Sequence, residues 1–370
     1  MAKGNMLLGY ARGAVGNLVF SRVKGNEVTK ARNRQPANPK TSKQVYQRAK
    51  FLNAVNFYKR GVQNLFKFAY EDKTQQESDF NAFMRHNVNR AIPVGKGVST
   101  EPLYPAVSNW ITSVGSLNGP QAVIGFADDV QGGSDGTVGR VYACGQHNVS
   151  PTADSQTTPL SSNALARVSI LTNDNSVTTF GQLCAALKAQ YPDLQEGDIV
   201  TVTLIHQIIQ GIGSPRLLYP SAYDTEGYIS SPAWKFAQFI IDSASTVALT
   251  DAVTQGLLYL SDGLTFDSGN IVDGVLSFSI QKTWQQWWDE FEGGTFDPSL
   301  FSNISSCVAG VMTFSRNTTS GLRVSTQEFS TSEGFQQLIQ LSQTTAFTEQ
   351  ILRSWDAADM AILEGGFIQA

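Results

Sequence analysis

The chain has 370 residues, of which 41% are hydrophobic and 16% are charged. This hydrophobic content excludes a wholly disordered chain, and the length predicts two or three folded units. No apolar run approaches the roughly 18 residues that a membrane-spanning helix needs, and the apolar run near the amino terminus is too short for a signal peptide. We therefore expect a protein that is made in the cytoplasm and is not exported by a classical route.

The formal net charge of −4 conceals a strong division along the chain. Residues 1–67 hold 14 lysines and arginines against one acidic residue, Glu27, which gives a local charge of +13. The other 303 residues hold 13 basic and 30 acidic residues, which gives −17. A segment at +13 repels itself unless a polyanion or an acidic surface of the same assembly neutralises it. A solvated lysine-rich face is the simpler alternative.

The amino-terminal residues have the pattern of short strands. Asn17–Val23 is rich in β-forming residues, Lys24–Asn26 has the composition of a turn, and Glu27–Arg32 would be the returning strand of a hairpin. Pro36 and Pro39 then favour an extended spacer. The pattern predicts a basic hairpin that an extended stretch joins to the next element.

Four stretches have the spacing of helices. The first is predicted to begin at about Ser42, after Thr41, which lies three residues before Gln44 as in a capping box. The other three place apolar residues at helical spacing. They are Asp79–Ala91, Thr178–Gln190 and Glu333–Ala357. We expect Arg85 and Arg90, in the second stretch, to add to the basic side of the molecule.

From about Val98 onwards strand-like runs dominate, joined by clusters of Gly, Ser, Asp and Asn. Nine runs are rich in β-forming residues. They are Gln121–Phe126, Val138–Cys144, Ala166–Leu171, Ile199–Ile209, Phe236–Ile241, Gly256–Leu260, Val275–Ile280, Cys307–Phe314 and Leu322–Phe329. This spacing favours an antiparallel β-sandwich or jelly roll over alternating β/α units, so we predict a mainly β fold with helices (α+β). We predict a basic region with helices at residues 1–97, and a β-sandwich body with inserted helices, as one sandwich or two, at residues 98–370.

Catalytic and metal-binding motifs are absent from the sequence. Its three histidines are far apart, its three cysteines form no paired motif, and it has no zinc-protease helix motif, nucleophile elbow or phosphate-binding loop. We therefore expect no enzyme activity, no cofactor and no metal. Cys144, Cys184 and Cys307 are interpreted as buried apolar thiols.

Trp284, Trp287 and Trp288 form the densest aromatic cluster in the sequence. On a helix they would share one face with Phe291. A hydrophobic anchor to the core or to a neighbouring subunit is the favoured interpretation, because aromatic residues dominate interface cores. A sugar-binding or base-stacking platform is the alternative.

Two blocks near the amino terminus resemble the opening of a family of phage-associated and Bacteroidetes-associated proteins. The first block follows the pattern G-x-V-G-N-x-V-x-S/G, and the second follows A/S-N-P-K/R-T-x-x-Q-x-x-Q-R-x-x-F. The matching residues are Gly13, Val15, Gly16, Asn17, Val19 and Ser21, then Ala37, Asn38, Pro39, Lys40, Thr41, Gln44, Gln47, Arg48 and Phe51. The resemblance covers the first part of the chain and implies a structural role in a virion.

Charge, fold and resemblance together predict a bacteriophage virion protein, either coat or capsid-associated. We expect it to assemble with itself and with other virion proteins in the bacterial cytoplasm, without membrane contact. Ten basic residues are predicted to contact nucleic acid or neighbouring subunits. They are Arg12, Arg22, Lys24, Lys30, Arg32, Arg34, Lys40, Lys43, Arg48 and Lys50. The alternative is a head-fibre or adhesion protein that binds carbohydrate or another surface, and it requires the three tryptophans to be exposed.

Overall fold

The chain divides into two units, Met1–Gln44 and Val45–Ala370. The structure, a computed structural model, describes residues 13–15, 17–23, 26–32, 41–59, 63–93, 109–120, 141–145, 166–172, 176–210, 233–267, 275–281, 286 and 304–331. The predicted domain boundary between residues 97 and 98 lies outside these residues. Within them, no helix has both the length and the hydropathy that crossing a bilayer requires.

The first unit contains a three-stranded antiparallel sheet, here called the amino-terminal sheet. Its strands are β1 Gly13–Val15, β2 Leu18–Val23 and β3 Asn26–Ala31, in the spatial order β1-β2-β3. Leu18 lies opposite Ala31 in the β2–β3 pairing, so these strands form the hairpin that the sequence predicted. Its turn residues Lys24 and Gly25 lie outside the described residues.

Three of the four predicted helices are present. They are α1 Ser42–Phe57, α2 Asp79–Asn87 and α3 Phe180–Gln190. Helix α2 ends at Asn87, before the predicted Ala91, and the fourth predicted helix lies outside the described residues. A complete capping box begins α3. The Thr179 hydroxyl accepts a hydrogen bond from the Gln182 amide nitrogen at 3.3 Å, and the Gln182 side-chain oxygen accepts one from the Thr179 amide at 2.9 Å.

The described part of the second unit contains three antiparallel sheets. Its strands are β4 Ile111–Ser113, β5 Val141–Gly145, β6 Ala166–Leu171, β7 Ile199–Gln210, β8 Ala233–Ile240, β9 Leu258–Leu260, β10 Thr265–Asp267, β11 Val275–Ile280, β12 Ile304–Thr318, β13 Gly321–Val324, β14 Gln327–Glu328 and β15 Ser330–Thr331. The largest sheet has six strands in the order β13-β12-β7-β8-β9, with β15 also paired to β12. A four-stranded sheet has the order β10-β11-β6-β5, and β14 pairs with β4.

The six-stranded and four-stranded sheets face each other across a first hydrophobic core. This core contains Val202 of β7, Phe278 of β11 and Phe180 of α3, each at most 1% exposed. At Gly310 of β12 an added Cβ atom would lie 2.5 Å from Cγ2 of Val168 on β6. Since any larger side chain would collide there, the glycine allows the two sheets to approach closely.

The other face of the six-stranded sheet is partly covered by a second hydrophobic core. Ile205 of β7 clusters there with Phe57 of α1, Phe83 of α2 and Trp110. Its neighbour Leu204 belongs to the first core, as expected because successive side chains of a strand point to opposite faces. The six-stranded sheet therefore has α1 and α2 on one side, and the four-stranded sheet together with α3 on the other.

The described residues are mainly antiparallel β-sheet with three helices, which confirms the predicted α+β class. The limits of two predicted strands, Ala166–Leu171 and Val275–Ile280, are those that the structure shows. The predicted strand Gln121–Phe126 lies outside the described residues. The short strands β1, β4, β10 and β15 were not predicted.

Cys184 of α3 is buried in the first core, and burial raises the pKa of its thiol to about 11. Because the thiolate is the reactive species, we expect Cys184 to resist alkylation in the folded protein at mildly alkaline pH. A short pulse of iodoacetamide followed by peptide mass spectrometry measures this. The same pulse in denaturant is the control and should label Cys184 fully. Equal labelling of the folded and denatured samples would contradict the burial.

Candidate subunit and nucleic-acid interface

The amino-terminal sheet has no core of its own among the side chains that the structure describes in it. Leu18 is 45% exposed, Phe20 is half-buried, and no described side chain of residues 13–32 is buried. A small sheet becomes stable when an apolar face is covered. This sheet therefore has apolar surface available for a partner.

Cations lie along the outer strand of this sheet. Lys30 and Arg32 are both exposed, and they lie at the end of β3, which is an edge strand. The Arg32 amide donates a hydrogen bond to the Asn17 carbonyl oxygen at 2.5 Å, so its backbone continues the hairpin pairing. The register places Arg22 opposite Glu27, the single acidic residue of the first 67.

The start of helix α1 carries a further cation. Lys43 is exposed in the first turn, which contains no acidic residue. The Gln44 amide donates to the Thr41 hydroxyl at 3.4 Å, which is one of the two hydrogen bonds of the predicted capping box. A cation at this end of a helix opposes the helix dipole, whereas an anion bound there would be favoured.

Lys50 has a structural contact within the second unit. Its ammonium donates to the Asn89 carbonyl oxygen at 2.7 Å, and burial lowers the pKa of this lysine. Lys50 thus ties α1 to the segment after α2. Arg48 lies near it on α1 and lines an open groove of about 510 Å³ together with Phe51 and Val88. Whether Arg48 and Lys50 contact nucleic acid or another subunit stays a prediction.

The remaining predicted site residues lie outside the described part of the chain. They are Arg12, Lys24, Arg34 and Lys40 in the basic set and Trp284, Trp287 and Trp288 in the aromatic set. The backbone of Arg22 is described, but its side chain is not. The roles assigned to these residues stay predictions.

Arg85 and Arg90 do not add net positive charge to the surface of the second unit. Arg85 forms ion pairs with Asp72 at 2.7 Å and with Glu77 at 3.1 Å, which raise the pKa of Arg85. Arg90 pairs with Glu328 at 2.6 Å. Because each arginine has a carboxylate partner, their charges are neutralised locally.

A second candidate site, the polar cleft, was missed by sequence reasoning. It lies on the face of the six-stranded sheet that carries the second core, and its volume is about 290 Å³. Thr201, Gln238 and Thr313 form part of its lining, and the turn Asn64–Ala69 forms another part. Polar residues at alternate positions of β7 and β12, Thr201 with Thr203 and Thr313 with Ser315, were the sequence signal that could have located it.

Aromatic rings border the polar cleft. The rings of Trp234 and Phe236 stack with centroids 5.6 Å apart, and Phe236 and Tyr259 are 5.7 Å apart. On the other side Phe68 lines the cleft and is 58% exposed, with the Lys67 ammonium 5.4 Å from its ring centroid. In the described part of the chain, no group of three or more His, Cys, Asp or Glu residues could hold a metal ion.

The fold and these sites define a mainly antiparallel α+β protein with a basic amino-terminal sheet. Residues 10–131 match the model of a family of unknown function, DUF6266. The matched range contains the amino-terminal sheet, α1, α2 and β4, together with the residues from Gly13 to Phe51 that carry the resemblance to phage-associated proteins. No curated protein and no solved structure matches the chain significantly.

Proposed function

We propose that the chain is a structural protein of a bacteriophage virion, coat or capsid-associated, that assembles with copies of itself through its amino-terminal sheet. The observation that carries this proposal is that no side chain described in this sheet is buried. Such a small sheet gains stability when a partner covers its apolar face. In a virion that partner is supplied in many copies, so weak individual contacts are strengthened by avidity.

A neighbouring subunit is the favoured partner for this sheet. Leu18 and Phe20 present apolar surface, which a sugar-phosphate backbone does not cover well. The same neighbour offers an acidic surface, since the 303 residues after Lys67 carry a net charge of −17. Lys30, Arg32 and Lys43 would meet that charge. Nucleic acid is the alternative partner, and it would use the same cations.

The body of the protein supports the proposal through its architecture. We infer that the two sheets facing each other across the first core form a β-sandwich, of which the jelly roll is one type. A sandwich has edges that can meet those of neighbouring copies, as a coat protein requires. A structural role of this kind needs no catalytic residue.

The full-length protein is expected to form large regular assemblies, visible by negative-stain electron microscopy and measurable by light scattering after size-exclusion chromatography. Replacing Lys30, Arg32 and Lys43 together by glutamine should shift it to smaller species, because attraction between subunits is reduced. The matched control replaces Lys188, Lys235 and Arg323 by glutamine. This control removes the same charge from the second unit and should assemble as the wild type does.

The partner is identified by repeating the measurement with a mixed-sequence DNA duplex over a range of salt concentrations. If Lys30, Arg32 and Lys43 contact phosphate, the slope of log K against log salt should fall by about 0.9 for each phosphate that the variant no longer neutralises. If they contact protein, assembly should weaken while the slope stays the same. A wild-type chain that is monomeric at high concentration, with and without DNA, would contradict the proposal.

A further inference from the structure

The polar cleft has a lining that a protein core would not need. The side chains of Thr313, Thr201 and Gln238 lie in direct register across β12, β7 and β8. Gln238 Nε2 donates a hydrogen bond to Thr201 Oγ1 at 2.9 Å, so this polar row is held in place within the sheet. Elsewhere on the same face, Ile205 and Ala309 are covered by the second core. The sheet face is therefore apolar where α1 and α2 cover it, and it carries a polar row beside aromatic rings where the cleft begins.

The turn that closes one side of the cleft holds the backbone of an aromatic residue, Phe68, in a strained conformation. Phe68 has φ +62°, which is the left-handed region that a bulky side chain rarely adopts. Its ring is nevertheless 58% exposed and lines the cleft. Strained residues persist where the surrounding structure holds them, and they concentrate at ligand sites. An exposed ring held at this energetic cost points to a ligand that the ring contacts.

The chemistry of the lining specifies the ligand class. Among the described residues that line the cleft, Lys67 is the one charged side chain, and its ammonium already lies over the Phe68 ring. The other polar groups are hydroxyls and amides, which both donate and accept hydrogen bonds. Neutral hydroxyl groups of a ligand suit such partners, and the C–H face of a sugar ring packs well on an aromatic ring.

We propose that the polar cleft binds a neutral saccharide, with one pyranose ring between Phe68 and the polar row of Thr313, Thr201 and Gln238. A volume of about 290 Å³ is close to the roughly 300 Å³ at the lower limit of small-molecule sites, which suits a single ring. The neighbouring rings of Trp234, Phe236 and Tyr259 border the cleft and would contact further sugar units. The described residues that line this cleft all belong to the second unit. The site does not depend on the assembly function.

Binding is tested on the full-length protein with methyl glycosides of glucose, mannose and galactose and with N-acetylglucosamine, by saturation-transfer NMR, and with an array of neutral oligosaccharides. Phe68→Gly is the main variant, because glycine tolerates positive φ and should leave the protein at least as stable. We expect it to weaken saccharide binding about tenfold or more, since one stacking surface is removed. Thr313→Val keeps the shape but removes a hydroxyl, and it should also weaken binding.

Phe51→Ala is the matched control. It removes a ring that is 51% exposed on α1, outside the cleft, and it should bind saccharide as the wild type does. Thermal melting of all three variants confirms that they are folded. The proposal is overturned if no neutral saccharide binds, if only a charged glycan or a peptide binds, or if Phe68→Gly binds as tightly as Phe51→Ala.

Discussion

Replacing Arg316 by methionine is expected to lower the free energy of unfolding by about 3 kcal/mol, near the lower end of the range for breaking a buried ion pair. The Arg316 guanidinium donates two hydrogen bonds of 2.7 Å to Asp198, whose side chain is 2% exposed. Asp198 also accepts a hydrogen bond from the Gln195 amide at 2.8 Å. Without the arginine a buried carboxylate loses its counter-charge, and methionine cannot donate the missing hydrogen bonds.

Urea unfolding followed by circular dichroism measures this effect. The control is Arg323→Met, because Arg323 lies directly opposite Arg316 in the β12–β13 pairing but is exposed. That substitution should change the stability by only about 0.5 kcal/mol. Adding Asp198→Asn to Arg316→Met should recover part of the stability, since the unpaired buried charge is then gone. Equal effects of the two arginine substitutions would show that the ion pair does not contribute to stability.

Replacing Trp110 by alanine should cost about 3–5 kcal/mol of stability, as for other large aromatic residues in cores. Trp110 is 0% exposed and belongs to the second core. Its ring stacks on Phe57 at 5.2 Å and is 5.6 Å from the ring of Phe83. Phe57 belongs to α1 and Phe83 to α2. Alanine would therefore leave a cavity and remove the ring contacts that Trp110 makes with both helices.

The same unfolding measurement with Phe51→Ala provides the comparison. Phe51 is also an aromatic residue of this region, but it is 51% exposed. Its replacement should have a small effect, because most of its surface is already in water and alanine favours a helix. Comparable destabilisation by Trp110→Ala and Phe51→Ala would show that burial of Trp110 in the second core does not contribute to stability.

The elements that could be predicted from the sequence have a local cause. Strands β6 and β11 are runs of β-forming residues, and their limits needed no knowledge of the neighbouring strand. The β2–β3 hairpin is contained within 14 residues, from Leu18 to Ala31. The start of α1 follows from Thr41 and the prolines before it. In each case the residues that decide the structure are close in the chain.

The end of α2 shows why other limits could not be predicted. Apolar spacing favoured a helix to Ala91, but α2 ends at Asn87. The Asn87 side chain accepts a hydrogen bond from the Ile111 amide at 2.7 Å and donates one to the Ile111 carbonyl oxygen at 2.9 Å. It therefore pairs with β4 in the way that a neighbouring strand would. A contact across 24 residues is not visible as a periodic pattern.

The polar cleft could not be predicted from the sequence, for a similar reason. The alternating threonines of β7 are visible in the sequence, but an exposed outer face of a sheet would have the same pattern. Only the position of Phe68, from a turn more than a hundred residues earlier in the chain, makes that face one side of a cleft. The positive φ of Phe68 has no signature in the sequence, because phenylalanine is not a residue that favours positive φ.

By itself the sequence determined the division of charge, the antiparallel β character and the basic hairpin, because composition and two-residue alternation are local properties. Only the tertiary structure decided which charged side chains stay exposed and available for binding a partner. Lys30, Arg32 and Lys43 are exposed, whereas the Lys50 ammonium is bound to the Asn89 carbonyl and Arg85 is paired with Asp72. Burial and ion pairing depend on distances between residues that are far apart in the chain, and no local pattern contains those distances.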